Sequence, residues 1–201
     1  MSVVEAVGDP TYFAYGFHGS SVASIEAIML TGYFELSDHS HERGEGDWLG
    51  PGFYFWQDAP TRVWEWLRAP RQQTRLGSHV ETLVAKIRLA DCVDLLDTGS
   101  HALLRRAYIR FVNRFPLGTT VLTNPTDPTA PPWHPLDDAI VRTMLERAAL
   151  RGQTIRSMRA TFREGDPIVP GSALHDLDHV QIAVFHDSVI VDYWAENSPP
   201  P

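Results

Sequence analysis

The chain has 201 residues, 43% hydrophobic and 21% charged, with 17 Lys+Arg against 25 Asp+Glu and a formal net charge of −8. That composition belongs to a folded globular chain of one or two domains and excludes a collagen, a coiled coil or a wholly disordered polypeptide. The acidic balance excludes a surface that tracks nucleic-acid phosphates over its whole extent, and the longest apolar runs, such as 180–185, fall far short of the ~20 residues that span a bilayer.

In chain order, the aromatic-rich segment 11–19 (TYFAYGFHG) reads as a strand ending in a glycine turn. Residues 20–30 follow as a helix, with serines suited to its N-cap and Gly32 as its stop. Residues 37–47 are polar and glycine-containing, a loop. GFYFW (52–56) is a short buried strand, and Asp58-Ala59-Pro60 caps a second helix over 60–68. A strand at 79–90 leads to helices at 101–114 and 136–151, split by a Pro/Thr-rich loop at 118–135. The C-terminal part holds strands at 160–162, 180–185 and 189–194, the last after a two-residue turn at Asp187-Ser188. This order is α+β rather than the strict alternation of a doubly wound sheet. One domain is expected over 10–195, with 100–152 as a helical insertion and 196–201 as a disordered Pro-rich tail. A start with neither a basic nor an apolar signal region, and a single cysteine (Cys92, read as a small buried hydrophobe), predict a soluble cytoplasmic chain, or an effector delivered without a classical signal.

Three segments can carry chemistry. In Phe17-His18-Gly19-Ser20 a histidine ends a strand beside a glycine, where a ligand can approach the backbone closely. Leu49-Gly50-Pro51-Gly52-Phe53-Tyr54-Phe55-Trp56, with Trp64 and Trp66 after it, is either plain core or a stacking slot for a flat heterocycle. In the strand from His179 to Phe185, Gln181 is a polar side chain that needs a partner when buried. His39, His41 and Glu42, and separately His175 and His179, lack the frame and the further ligands of a metal site, so no metal is expected.

Taken in this order, the three segments resemble the poly(ADP-ribose) polymerase-like (diphtheria-toxin-like) ADP-ribosyltransferases. His18-Gly19-Ser20, Gly50-Pro51-Gly52-Phe53-Tyr54-Phe55 and Gln181-Ile182-Ala183-Val184-Phe185 match that family's motifs, and Trp66 falls, with one inserted residue, at its second stacking aromatic. The resemblance covers 12–95 and 162–194. It implies two small packed sheets around an NAD+ cleft, and an enzyme that moves ADP-ribose from NAD+ to a macromolecule and releases nicotinamide. By the same resemblance Gly19 clamps the carboxamide, Tyr54 and Trp66 sandwich the ring beside Gly52, His18 bonds the adenosine-side ribose and Ser20 braces the nicotinamide side.

The chain departs from the best-known members by carrying Gln181 where they carry a glutamate. An amide can hold a ribose hydroxyl but takes no proton, so the base is unnecessary, or is Glu164 or His179, or the fold only binds NAD+ or ADP-ribose. Arg156, Arg159 and Arg163 are expected on the acceptor side, gripping the NAD+ pyrophosphate or an acceptor phosphate, with nucleic acid slightly favoured over protein as acceptor. The resemblance further implies a bacterial-type toxin of a toxin–antitoxin or phage-defence system, with an antitoxin protein as partner. A plain NAD+ glycohydrolase is the remaining alternative.

Overall fold

The computed structural model describes residues 12–37, 39, 46–126 and 133–196. Strand β1 (Phe13–Ser21) is followed by α1 (Val22–Thr31), whose N-cap Ser21 accepts from Ser24 N–H and whose C-cap Gly32 is left-handed. Next come β2 (Phe53–Gln57), α2 (Pro60–Arg68), α3 (Pro70–Leu76), β3 (Val80–Arg88) and β4 (Cys92–Asp94). The longer helices α4 (His101–Val112) and α5 (Pro135–Ala149) precede β5 (Ser157–Phe162), β6 (His179–Val184) and β7 (Ile190–Glu196). No helix among the described residues is long and apolar enough to cross a membrane.

The fold is α+β, but the two small sheets expected from the resemblance are one mixed sheet of seven strands in the order β4-β5-β6-β2-β1-β3-β7. Only β4 and β5 run parallel; the other pairs are antiparallel. What joins its halves is slight. β1 pairs with β3 continuously from Phe13 to Ser21, whereas β1 and β2 pair only at Gly16↔Gln57 and Phe17↔Trp56. The turn after β6 is a 3-10 turn at Asp187–Val189, and it closes no hairpin. It carries the chain to the far edge, where β7 pairs with β3.

Alternation along the strands sorts the core onto two faces. On one face Phe53, Phe55, Ile182 and Val184 pack with Leu83, Ala85 and Ile87 beneath Ile25 and Ile28 of α1. On the other, α4 and α5 lie over β5, β6 and β2 through Ala107, Val141, Met144, Met158, Ala160 and Ala183. The two helices of the expected insertion, α4 and α5, therefore cover this half of the sheet. Beside them α2 packs Val63, Trp64 and Leu67 against Trp56.

Three local features differ from the sequence reading. Helix α3 has no buried residue, so it offers no apolar period to detect. Asp58 does not cap α2: it has a positive φ of 49°, the N-cap is Ala59 without a side-chain bond, and Pro60 begins the helix. Cys92 is core, as expected, yet it also opens β4, and burial pushes its thiol up to about 11. Residues 197–201 of the expected tail lie outside the described residues, and Glu196 ends β7.

Candidate functional site

Where β1 and β2 part, the sheet forks. Beyond Phe17↔Trp56, β1 continues to Ser21 along β3 while β2 runs back to Phe53 along β6. The backbone of β1 has a readable alternation. Tyr15 C=O accepts from Asp58 N–H on the β2 side, whereas Tyr12 C=O accepts from Leu89 N–H and Val22 N–H donates to His79 C=O on the β3 side. The odd positions, Gly19 among them, therefore turn N–H and C=O toward the fork. A Cβ at Gly19 would lie 2.8 Å from Val63 and Leu67 side-chain carbons, so the close approach of α2 requires glycine there.

His18 ties β1 to β2 across the α1 side of the fork. Its Nδ1–H donates to Tyr54 C=O at 2.9 Å and its ring lies 4.1 Å from that of Phe53. Burial lowers its pKa from 6.5 to about 4, and the nearby Arg75 charge adds to this against the opposing bond to Tyr54. A folded value below the unfolded one means that the unfolded chain binds more protons between pH 6.5 and 4. Stability is then full above pH 6.5 and falls as the pH drops toward 4, by up to ~3 kcal/mol from His18. Urea unfolding at pH 7 and pH 4.5 is expected to show this loss, and His18→Asn, whose amide replaces Nδ1–H, to show a smaller one. An equal loss in the variant would assign the acid sensitivity elsewhere. Burial also lowers His134 to about 4, so some loss remains in the variant.

Gln181 stands on β6 opposite Trp56 of β2 and Ala160 of β5. Its neighbour His179 is buried, with Nδ1–H donating to Leu177 C=O at 2.8 Å. That leaves Nε2 as an acceptor, and Gln181 Nε2–H donates to it at 3.0 Å. The amide is thereby oriented, with Oε1 as its remaining acceptor. Glu164 lies 4.0 Å from His179 Nδ1 and is held by Arg62 of α2 at 3.0 Å. Rings continue across this face from Trp66 to Trp56 (5.4 Å), His179 (6.3 Å), Phe162 (5.7 Å), Trp48 (4.4 Å) and His134 (3.7 Å). Trp56 is buried, and its Nε1–H has no acceptor among the described residues.

The expected residues are thus divided by the sheet. Tyr54, Trp66 and Gln181 lie on the α2–α5 face, His18 and Ser20 turn to the α1 face, and Gly19 sits at the fork between them. Tyr54 is two positions from the residue facing Gln181. Its hydroxyl donates to Gly50 C=O at 2.6 Å and accepts from Leu49 N–H, and burial raises its pKa well above the usual. Gly52 exchanges both backbone bonds with Ser37, and Gly50, at φ 76°, leaves no room for a Cβ beneath Val141 of α5.

The expected cationic rim is the main difference. Arg159 is buried, with Asp94 at 2.6 Å and Gln57 Oε1 at 3.2 Å. Arg156 binds Asp91 and Ser188, four residues from Ala160 and so roughly 13 Å along the strand from Gln181's level. Arg163 is exposed beyond Phe162. His175 and His179 each turn Nδ1 to a backbone carbonyl, and no group of three or more metal-ligating side chains occurs among the described residues. His41 and Glu42 lie outside them. Arg62, Trp48 and His134 escaped the sequence reading. Arg62 was findable, since it lies four residues before Trp66 and shares its helix face.

Comparison of the chain with protein families, with curated proteins and with solved structures finds no match.

Proposed function

We propose that the chain binds NAD+ at the fork between β1 and β2 and transfers its ADP-ribosyl group to a macromolecule, releasing nicotinamide. The observation that carries this reading is Gln181, held by the buried His179 in a wall of mutually tilted aromatic rings beside a glycine backbone turned toward the fork. Such a wall suits a flat heterocycle, and the glycine backbone suits a carboxamide.

In the proposed reaction the bond between ribose C1′ and the nicotinamide nitrogen breaks, and its electron pair leaves with neutral nicotinamide. Gln181 Oε1 accepts from the ribose 2′-hydroxyl and stabilises the positive character that develops at C1′. The acceptor's nucleophilic atom then bonds C1′ and gives up its proton. His179 is poorly suited to take that proton, with Nδ1 and Nε2 both engaged and its side chain only 1% exposed. Glu164, 36% exposed, is the better carboxylate for it. A base nitrogen asks less of a general base than an alcohol does, so this reading favours nucleic acid over protein as acceptor. A toxin held in check by an antitoxin protein is the cellular role consistent with it.

The test is incubation of the protein with labelled NAD+ and a cell lysate. Nicotinamide release, with label in a macromolecular fraction sensitive to nuclease, is the expected result. NAD+ recovered intact would make the chain a binding module, and free ADP-ribose alone would make it a glycohydrolase.

A further inference from the structure

We infer that Arg71 and Arg75 of α3 form a clasp for the diphosphate of NAD+ at the mouth of the fork, an inference that rests on the NAD+ reading above. The two arginines are four residues apart on one helix, so their side chains are neighbours. Like charges at that spacing repel, and the Arg71 charge contributes to a lowered pKa at Arg75, after burial. Neither has a carboxylate partner among the described residues, whereas Arg62, Arg142, Arg156 and Arg159 each have one. Core packing accounts for little of the helix: none of its residues is fully buried, and it gives the α2 cluster the partly buried Leu76 while both arginines stay exposed.

The pair is also directed. The Arg75 guanidinium lies over the Trp66 ring at 5.4 Å and that of Arg71 over Trp133 at 5.8 Å. A guanidinium parked on a ring keeps its N–H edge for oxygens, and two such forks side by side match the four charged-face oxygens of a diphosphate. The Trp66 ring that Arg75 covers lies 5.4 Å from that of Trp56, which pairs with Phe17 at the fork, and the Arg75 charge contributes to the lowered pKa of His18. The arginines first expected to grip the pyrophosphate, Arg156 and Arg159, are bound to Asp91 and Asp94 instead.

Calorimetric titration with NAD+, ADP-ribose and nicotinamide separates the possibilities, using wild type, Arg71→Ala, Arg75→Ala and the double variant. Each single change is expected to weaken NAD+ and ADP-ribose about tenfold, and the double change by about a hundredfold or more, with nicotinamide affinity within about twofold of wild type. Arg75→Lys, which keeps the charge and loses the fork, should fall between. NAD+ that binds wild type and the double variant equally overturns the clasp and leaves the NAD+ reading standing. So does an equal loss of nicotinamide, or a single-stranded oligonucleotide that binds through the pair without displacing NAD+. No NAD+ binding by wild type overturns both.

Discussion

Replacing Gln181 by alanine is expected to slow NAD+ cleavage by roughly ten- to a hundredfold while NAD+ affinity changes little, the signature of a contact used in the transition state. The structure sharpens this expectation. Gln181 Nε2–H donates to His179 Nε2, whose other nitrogen is committed to Leu177 C=O, so the amide reaches the site already oriented. Gln181→Glu is close in size, yet it sets an oxygen against the acceptor nitrogen of His179 and loses the orienting bond. It is therefore expected to cleave more slowly than wild type despite its added charge. The measurement is single-turnover nicotinamide release beside a binding isotherm for each variant. Wild-type rates in Gln181→Ala would reduce Gln181 to a satisfied strand residue and move the search to Glu164.

The largest effect on stability is expected from Asp138→Ala. Asp138 is fully buried at the start of α5, 2.7 Å from Arg142 Nε, and Arg142 also donates to His39 C=O at 3.0 Å. Removing the carboxylate takes from the half-buried guanidinium the ion-pair partner at 2.7 Å, which costs on the order of 3–5 kcal/mol. For a chain of this length that is a fall in melting temperature of on the order of 10 °C. Asp138 also lies against Gly46, so the turn that Tyr54 braces should loosen with it. Asp137→Ala, one residue away on a partly exposed carboxylate bound to Asn124, serves as the comparison and should cost far less. Calorimetric scans that place Asp138→Ala within ~2 °C of wild type would refute the buried-pair argument.

Much of the local structure was legible before any fold was known. Helix α2 spans 60–68 as read, because Pro60 opens it and Val63, Trp64 and Leu67 repeat on one face. Ser21 and Gly32 end α1 by ordinary capping chemistry, and β6 shows as an apolar run. Helix α3 was not legible, since Pro70–Leu76 has no fully buried residue and the partly buried Leu76 alone leaves no periodic mark. The sheet order was not legible either: the neighbours of β3 are β1 and β7, and β7 begins about a hundred residues after β3 ends.

The candidate site divides along the same line. From the chain alone came the glycine at the strand end, the aromatic cluster and Gln181 as the polar residue of a late strand, because each rests on residues adjacent in sequence. Which aromatic faces Gln181 was decided by register: Trp56 pairs with it, and Tyr54 braces its own turn instead. Which arginines meet a carboxylate was decided by chain closure. Arg156 and Arg159 find Asp91 and Asp94, each 65 residues earlier, while Arg71 and Arg75 meet tryptophans. Capping and periodicity act over a few residues and are written locally, whereas an ion pair or a forked sheet exists only once distant segments have been brought into contact.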